Sequence, residues 1–376
     1  MKKNILAVAA MALCTAASAQ SNLTLYGVID TAIRYTSNQL TSSGALGSQT
    51  AMMEGAFQGA RLGVKGSEDM GGGNAVVFQL ENGFQSDNGA PDQQGQLFGR
   101  QAFLGLRSKD WGELDAGRQY GIAADVLGGY DPLGTGNFNE NEWSVFLYGI
   151  RFDNTLKYTK SVGPLSVELQ YSLGEQAGKG GAGVTSGAAL SYANGPLSVG
   201  AVLQQSKDAN SARMKLAGAG GSWVAGPTKL YLQYFTARRD PGFAKAASNS
   251  GGALANTSMI GNSGNALSRT DRVWTAGVLW QAAAAVEVTV GYMNDAIKNV
   301  ASSGRTGRIA TLYALADYHL SKRTDVYAGL DRTTLGGDEI DDLNGVMLFA
   351  GASLGAGGAQ TASSRNGAAI GLRHKF

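Results

Sequence analysis

Apolar and polar residues alternate with a period of two in segments spread along the whole chain. In Leu165-Ser166-Val167-Glu168-Leu169-Gln170-Tyr171-Ser172-Leu173 every odd position is apolar or aromatic and every even one is polar. A helix would scatter these apolar residues around its surface. An extended strand, whose side chains point alternately to opposite faces, sorts them onto one. Thr228 to Thr236 repeats the pattern, with Leu230, Leu232 and Tyr234 opposite Lys229, Tyr231 and Gln233. Val286, Val288, Val290 and Tyr292 oppose Glu287 and Thr289, and near the N-terminus Leu23, Leu25, Ile29 and Ile33 oppose Tyr26, Asp30 and Arg34.

The same rule predicts strands over 23–35, 59–69, 74–84, 100–108, 112–119 and 154–161. It continues over 165–173, 187–193, 197–207, 214–224 and 228–238, then 271–281, 286–297, 308–320, 324–333 and 366–376. These are sixteen, an even number, as single-chain bacterial barrels require. Short turns such as Val162-Gly163-Pro164, Asn194-Gly195-Pro196 and Ala225-Gly226-Pro227 alternate without exception with longer connections, including 36–58, 85–99, 120–153, 239–270 and 334–365. The expected fold is all-β, a transmembrane antiparallel up-and-down barrel with short periplasmic turns and long extracellular loops. An open sheet edge cannot be left in lipid, so the first strand must find the last. The last carries Ile370, Leu372 and Phe376 on one face and Arg373 and Lys375 on the other, with Phe376 placed for an aromatic girdle at the membrane interface.

Composition sharpens this picture. Charged residues are 16% of the chain, against roughly 25% in soluble domains, yet mean hydropathy is only −0.11. The 55 glycines outnumber the 6 prolines, as suits strands facing lipid on one side and water on the other. Residues 1–19 read as a secretory signal: Lys2 and Lys3, an apolar run from Ile5 to Leu13, and a small-x-small cleavage site at Ala17-Ser18-Ala19. The mature domain is then 20–376. Cys14, the one cysteine, leaves with the signal, because Leu13 before it does not suit lipidation. Of 31 basic and 29 acidic residues, removal of Lys2 and Lys3 leaves 29 of each, which argues against a nucleic-acid partner. The nearest approach to an internal helical span, Trp274 to Val286, carries no charge but contains Gly277 and Gln281 and is too short to cross a bilayer as a helix.

Several motifs, in order, carry a family resemblance. They are Leu23-Thr24-Leu25-Tyr26-Gly27-Val28-Ile29-Asp30, Arg61-Leu62-Gly63-Val64-Lys65-Gly66-Ser67-Glu68-Asp69 and Phe98-Gly99-Arg100-Gln101-Ala102-Phe103-Leu104-Gly105-Leu106. Gly117-Arg118-Gln119-Tyr120, Ala316-Asp317-Tyr318-His319-Leu320-Ser321-Lys322-Arg323-Thr324 and the closing Gly371-Leu372-Arg373-His374-Lys375-Phe376 follow. With these the chain resembles the general porins of Gram-negative β-proteobacteria. The resemblance implies an outer-membrane homotrimer among lipid and lipopolysaccharide, a third loop folded into the pore, and passive diffusion of small hydrophilic solutes and ions, with a mild anion preference where arginines dominate. It implies no cofactor, no metal and no catalysis.

By the same resemblance, basic wall residues face acidic residues of the inward loop, here about 120–153. The wall residues are Arg61, Arg100, Arg118 and Arg151, and the loop acids are Asp125, Asp131, Glu140 and Glu142. Each arginine is also readable as a local ion-pair partner and each acid as a solvated loop residue. Arg118 shares the parity of Leu114 and Ala116, so only a bulge or the strand's end would turn it inward.

Other features carry less. Gly71-Gly72-Gly73 is a turn, since no helix pattern follows it. Asp338-Glu339-Ile340-Asp341-Asp342 lacks the ligand spacing of an EF-hand, and Asn256-Thr257-Ser258 is a common glycosylation pattern. His319 and His374 form no arrangement with a nucleophile. The alternatives are a barrel adhesin or receptor acting through its outer loops, a barrel enzyme of the outer membrane, and a soluble β-protein.

Overall fold

The computed structural model describes residues 22–41, 45–55, 57–134, 144, 147–243, 266–300, 304–337 and 362–376. The signal segment, Glu140, Glu142, the acidic run at 338–342 and Asn256-Thr257-Ser258 lie outside these residues. The first strands are β1 (Asn22–Leu40), β2 (Leu46–Glu54), β3 (Arg61–Gly71), β4 (Asn74–Gly83), β5 (Gln101–Ser108) and β6 (Gly112–Tyr120). Then come α1 (Ile122–Gly128), β7 (Arg151–Val162), β8 (Leu165–Ser172), β9 (Thr185–Asn194), β10 (Leu197–Lys207) and β11 (Arg213–Ala225). The chain continues through β12 (Thr228–Arg239), β13 (Arg269–Ala283), β14 (Val286–Val300), β15 (Arg305–His319), β16 (Thr324–Gly337) and β17 (Ser364–Lys375).

From β3 to β17 each strand pairs antiparallel with the next, and β17 returns to β1 with Val28 opposite Lys375 and Thr36 opposite Gly367. Gly27 and Phe376 exchange backbone hydrogen bonds at 3.1 Å in both directions, so the last residue closes the barrel. The seventeen strand segments make sixteen barrel positions, because β2 and β3 share one edge of β1. Thr31 to Leu40 pair with β2, and Asn22 to Val28 pair with β3. Between β2 and β3 the chain leaves the wall at Gly55 and re-enters it at Arg61. The sequence reading placed β2 within a loop over 36–58. Leu46-Gly-Ser-Gln-Thr-Ala-Met-Met-Glu lacks clean alternation, and its strand exists through pairing with the extended end of β1. The expected unbroken alternation of short and long connections also needs correction. The outer connections 208–212 and 301–304 are short, since β10–β11 and β14–β15 stay paired almost to their tips.

The two faces follow the alternation. Leu23, Leu25, Ile29 and Ile33 of β1, Leu165, Val167, Leu169 and Tyr171 of β8, and Leu230, Leu232 and Tyr234 of β12 are exposed large apolar groups facing outward. On β13 the outward Trp274 and Trp280 lie six residues apart, roughly 20 Å along a strand. That is close to the ~25 Å apolar band between the aromatic girdles of an outer-membrane barrel. No helix among the described residues is long and apolar enough to cross a membrane, so crossing falls to the strands. Inward positions are polar and pair with one another, as in Arg34–Asp331 at 2.7 Å, Arg269–Asp271 at 2.7 Å and Arg373 with Asp317 and Asp325 at 3.0 and 2.9 Å.

Candidate pore constriction

After β6 the chain turns into the barrel. Helix α1 buries Ile122, Ala123, Val126 and Leu127 against the inner wall, and Tyr148, Phe152, Leu216, Phe235 and Val273 belong to the same apolar cluster. Tyr148 meets Phe235 edge-on at 5.3 Å. Two polar backbone atoms of the segment find partners on the wall: Ile122 N donates to Gln170 Oε1 at 2.9 Å, and Gln204 Nε2 donates to the Tyr148 carbonyl at 2.8 Å.

This close seat exists because glycines stand in the wall beneath it, among the apolar side chains on which α1 packs. A Cβ added at Gly187 would lie 2.6 Å from Ile122 Cδ1, and one at Gly200 3.1 Å from Val126 Cγ1. At Gly220 it would lie 2.6 Å from Tyr130 Cδ2, and at Gly277 2.3 Å from Pro132 Cγ. All but the Gly200 contact are shorter than van der Waals contact allows, and that one is tight. These glycines occupy inward parity on β9, β10, β11 and β13, forming a track along which the third loop runs. Beyond it Asp131, near Tyr313 of β15, accepts from Leu133 N at 2.9 Å and from the Tyr313 hydroxyl at 3.4 Å.

The opposite wall is crowded with cations. Arg61 opens β3, Arg100 lies just before β5, Arg118 is in β6, and Arg151 opens β7. Arg100 Nε donates to Glu81 Oε1 at 2.7 Å, and its Nη2 donates to the Tyr120 hydroxyl at 2.8 Å. Arg151 Nη2 donates to that same hydroxyl at 2.8 Å, with its guanidinium 4.5 Å from the Tyr120 ring centre. Arg118 donates to the Gly99 carbonyl at 2.7 Å and to Asp153 Oδ1 at 2.6 Å. Arg61 Nη1 donates to the Gly59 carbonyl at 3.2 Å. Arg61 feels the charge of Arg100, and Arg151 feels that of both Arg100 and Arg118, so the four form one electrostatic group.

Arg118 reaches this wall by the route its parity demanded. The β6–β7 register slips between Gly117 and Gln119, and Gly117 adopts φ +138°, where a Cβ would meet the Ala102 carbonyl at 2.2 Å. The extra residue turns Arg118 from the lipid face to the lumen, where it is buried.

The four arginines are thus together, while Asp125 and Asp131 are engaged elsewhere. Asp125, exposed on α1, accepts from Lys157 Nζ at 2.8 Å, and Asp131 is buried at the loop's own turn. Sequence reasoning missed Glu81 and Tyr26, which share a 2.6 Å hydrogen bond, and Tyr120, the acceptor common to two guanidiniums. Tyr120 closes the Gly117-Arg118-Gln119-Tyr120 motif, and Glu81 holds inward parity on β4. The strand alternation was the signal that could have found both.

A closed barrel with a chain segment laid on one inner wall and a bank of guanidiniums on the other defines a water-filled diffusion channel of the outer membrane. The chain belongs to the Gram-negative porin family, whose model matches residues 6–338. It is 30% identical to outer membrane porin protein 32 of Delftia acidovorans across the full length of both chains. It is 36% identical to an outer membrane porin protein of Bordetella pertussis over 267 residues, 62% of this chain and 69% of the relative. In fold it resembles the anion-selective porin from Comamonas acidovorans, with a TM-score of 0.74 at 22% identity, covering 95% of this chain and 100% of that one. It also resembles an outer membrane protein of Vibrio cholerae solved in a trimer form, with a TM-score of 0.62 at 14% identity, covering 95% and 99%.

Proposed function

We propose that this porin favours small hydrophilic anions, that Arg61, Arg100, Arg118 and Arg151 form the cationic side of its constriction, and that it works as a homotrimer. One observation carries the preference. Arg61 and Arg151 pair with no carboxylate among the described residues: one donates to a carbonyl and the other to a tyrosine hydroxyl, and Arg151 Nε is buried without a partner. Glu81 and Asp153 neutralise Arg100 and Arg118, which leaves the wall with surplus positive charge. In a narrow passage with low-dielectric walls that surplus concentrates anions. The anion-selective Comamonas porin and the trimeric Vibrio protein, which share this fold, support the same reading. Removal of residues 1–19 on export is part of it. The fold and family make the chain a channel rather than an enzyme.

The test is reversal potential in a salt gradient, with purified protein in a planar bilayer. Anion-signed potentials on large steps, often in threes, are expected. A cation-signed potential overturns the assigned preference, and well-inserted protein without steps overturns the channel itself.

A further inference from the structure

The chain between β2 and β3 does not stay in the wall. Both strands lie on the same edge of β1, and Phe57 and Gln58 between them turn inward. Phe57 packs edge-on against Tyr327 with ring centres 5.8 Å apart, and the Arg373 guanidinium lies 4.0 Å from the Phe57 ring centre. Tyr327 and Arg373 are inward residues of β16 and β17, both buried.

The segment is anchored. Phe57 N and Gln58 N donate to Asp30 Oδ2 at 3.1 and 2.8 Å, and the Tyr327 hydroxyl donates to Asp30 Oδ1 at 2.5 Å. Ala60 N donates to Glu54 Oε2 at 3.1 Å. Asp30 is wholly buried, and a buried carboxylate is costly unless donors surround it. Here three donors converge on it, two from the inward segment itself. Phe57 also packs against the cluster that holds Leu133 of the third loop with Tyr313, Leu315 and Tyr327. The two inward pieces of chain therefore share one apolar joint, while Gly59 carries the carbonyl that receives Arg61.

We infer that Phe57–Ala60 is a second constriction element, that Phe57 lines the passage, and that Asp30 is the positioning residue that holds the element in the lumen. The third loop covers the inner wall from β8 to β15, and this element covers β16, β17 and β1. The arginine-bearing stretch from β3 to β7 is left facing the solute. The inference rests on the channel reading and is independent of the sign of selectivity.

The test uses the full-length channel in planar bilayers and in liposomes swollen with neutral sugars of graded size. Phe57→Ala and Asp30→Asn both raise conductance and speed the larger sugars more than the smaller ones, with the sign of the reversal potential kept. Asparagine offers one acceptor oxygen where aspartate offers two, so Asp30→Asn loosens the anchor without emptying the site. In Phe57→Cys a cationic methanethiosulfonate reagent lowers conductance in steps and leaves the parent channel unchanged. Parental conductance and sugar rates in Phe57→Ala, with Phe57→Cys insensitive to the reagent, overturn the inference. These two variants decide the matter even where Asp30→Asn fails to insert. A parent that does not conduct overturns the channel reading instead.

Discussion

The inner wall of this barrel has two halves that obey one folding rule and serve opposite ends. From β3 to β7 the inner wall bears Arg61, Glu81, Arg100, Arg118 and Arg151, long charged groups of which Arg100 and Arg151 share the Tyr120 hydroxyl. From β9 to β13 the matching positions include Gly187, Gly200, Gly218, Gly220 and Gly277, which present nothing but backbone. Outward the two halves are alike, Leu62 and Leu104 on one and Leu203 and Leu232 on the other, all exposed. Lipid constrains the outer face everywhere, so the solute path is written on the inner face. In the proposed constriction, glycines subtract side chains on one side, which lets a loop lie flat, and arginines add charge on the other.

Filling the bare half should have the largest effect. Gly220→Leu with Gly277→Leu puts side chains where a Cβ alone already approaches Tyr130 and Pro132 to 2.6 and 2.3 Å. Overpacking of this kind costs about 1–3 kcal/mol per site, and the loop can escape it by lifting off the wall. Single-channel recordings should show a conductance above that of the parent and above that of each charge variant. A lower temperature for heat-induced loss of the folded form on gels should accompany it. Unchanged conductance would show that the loop's seat does not depend on the track.

Emptying the charged half is the next strongest break. At about 10 Å in a water-filled passage a unit charge acts with about 0.4 kcal/mol. Arg61→Gln with Arg151→Gln removes two, raising the energy of a permeating anion and lowering that of a cation by about 0.8 kcal/mol each. The anion-to-cation permeability ratio should then fall on the order of tenfold, read from the reversal potential. The shift should shrink toward 1 M salt, where the screening length is about 3 Å.

The outer face was far more legible in the sequence than the inner one. Strand positions such as Leu165 to Leu173 could be read residue by residue, because lipid tolerates few exceptions on its side of the alternation. The pairing of the last strand with the first followed from the ban on open edges, whereas its register, with Phe376 beside Gly27, did not. β2 stayed hidden because its pairing rests on β1 rather than on its own pattern. Asp30 was visible as an inward polar residue, but the donors that meet it come from Phe57, Gln58 and Tyr327, far away in sequence. The glycine track was invisible for a similar reason. A glycine at inward parity reads as a weak strand position until the loop that lies on it is known. Arg118 stands between these cases: its parity pointed outward, and only Gly117 beside it hinted at the bulge that reverses it.

Tyr120→Phe should sharpen the comparison with a smaller effect. The ring and its stacking on Arg151 remain, while Arg100 and Arg151 each lose an acceptor at 2.8 Å. A hydrogen bond to a charged group is worth about 1.5–3 kcal/mol. Mean conductance and the sign of selectivity should hold, because no charge is removed. Open-channel current noise should rise as the guanidiniums lose their shared fixed point, and the thermal midpoint should fall by a few degrees, on the order expected for a loss of that size. Noise and stability identical to the parent would mean that the arginines are ordered by their carboxylate and backbone partners alone.

The smallest effect should come from the contact that ties the loop to the charged half. Asp125 of α1 meets Lys157 of β7 at 2.8 Å, with 31% of the aspartate side chain and 14% of the lysine side chain exposed. The Asp125 end is open to solvent, which screens the pair, and Lys157 keeps the Tyr120 carbonyl at 3.2 Å, so Asp125→Asn should lower the thermal midpoint only slightly. Electrically it should not be silent. The substitution removes one negative charge and leaves Lys157 unpaired by it, which moves the reversal potential toward anions, opposite to the arginine variants and by less. In the triple variant Arg61→Gln, Arg151→Gln, Asp125→Asn the two shifts should subtract, because the charges act on the permeating ion independently across the lumen. A shift from Asp125→Asn toward cations, or none at low salt, would place that carboxylate off the ion path and assign the selectivity to the arginine wall alone.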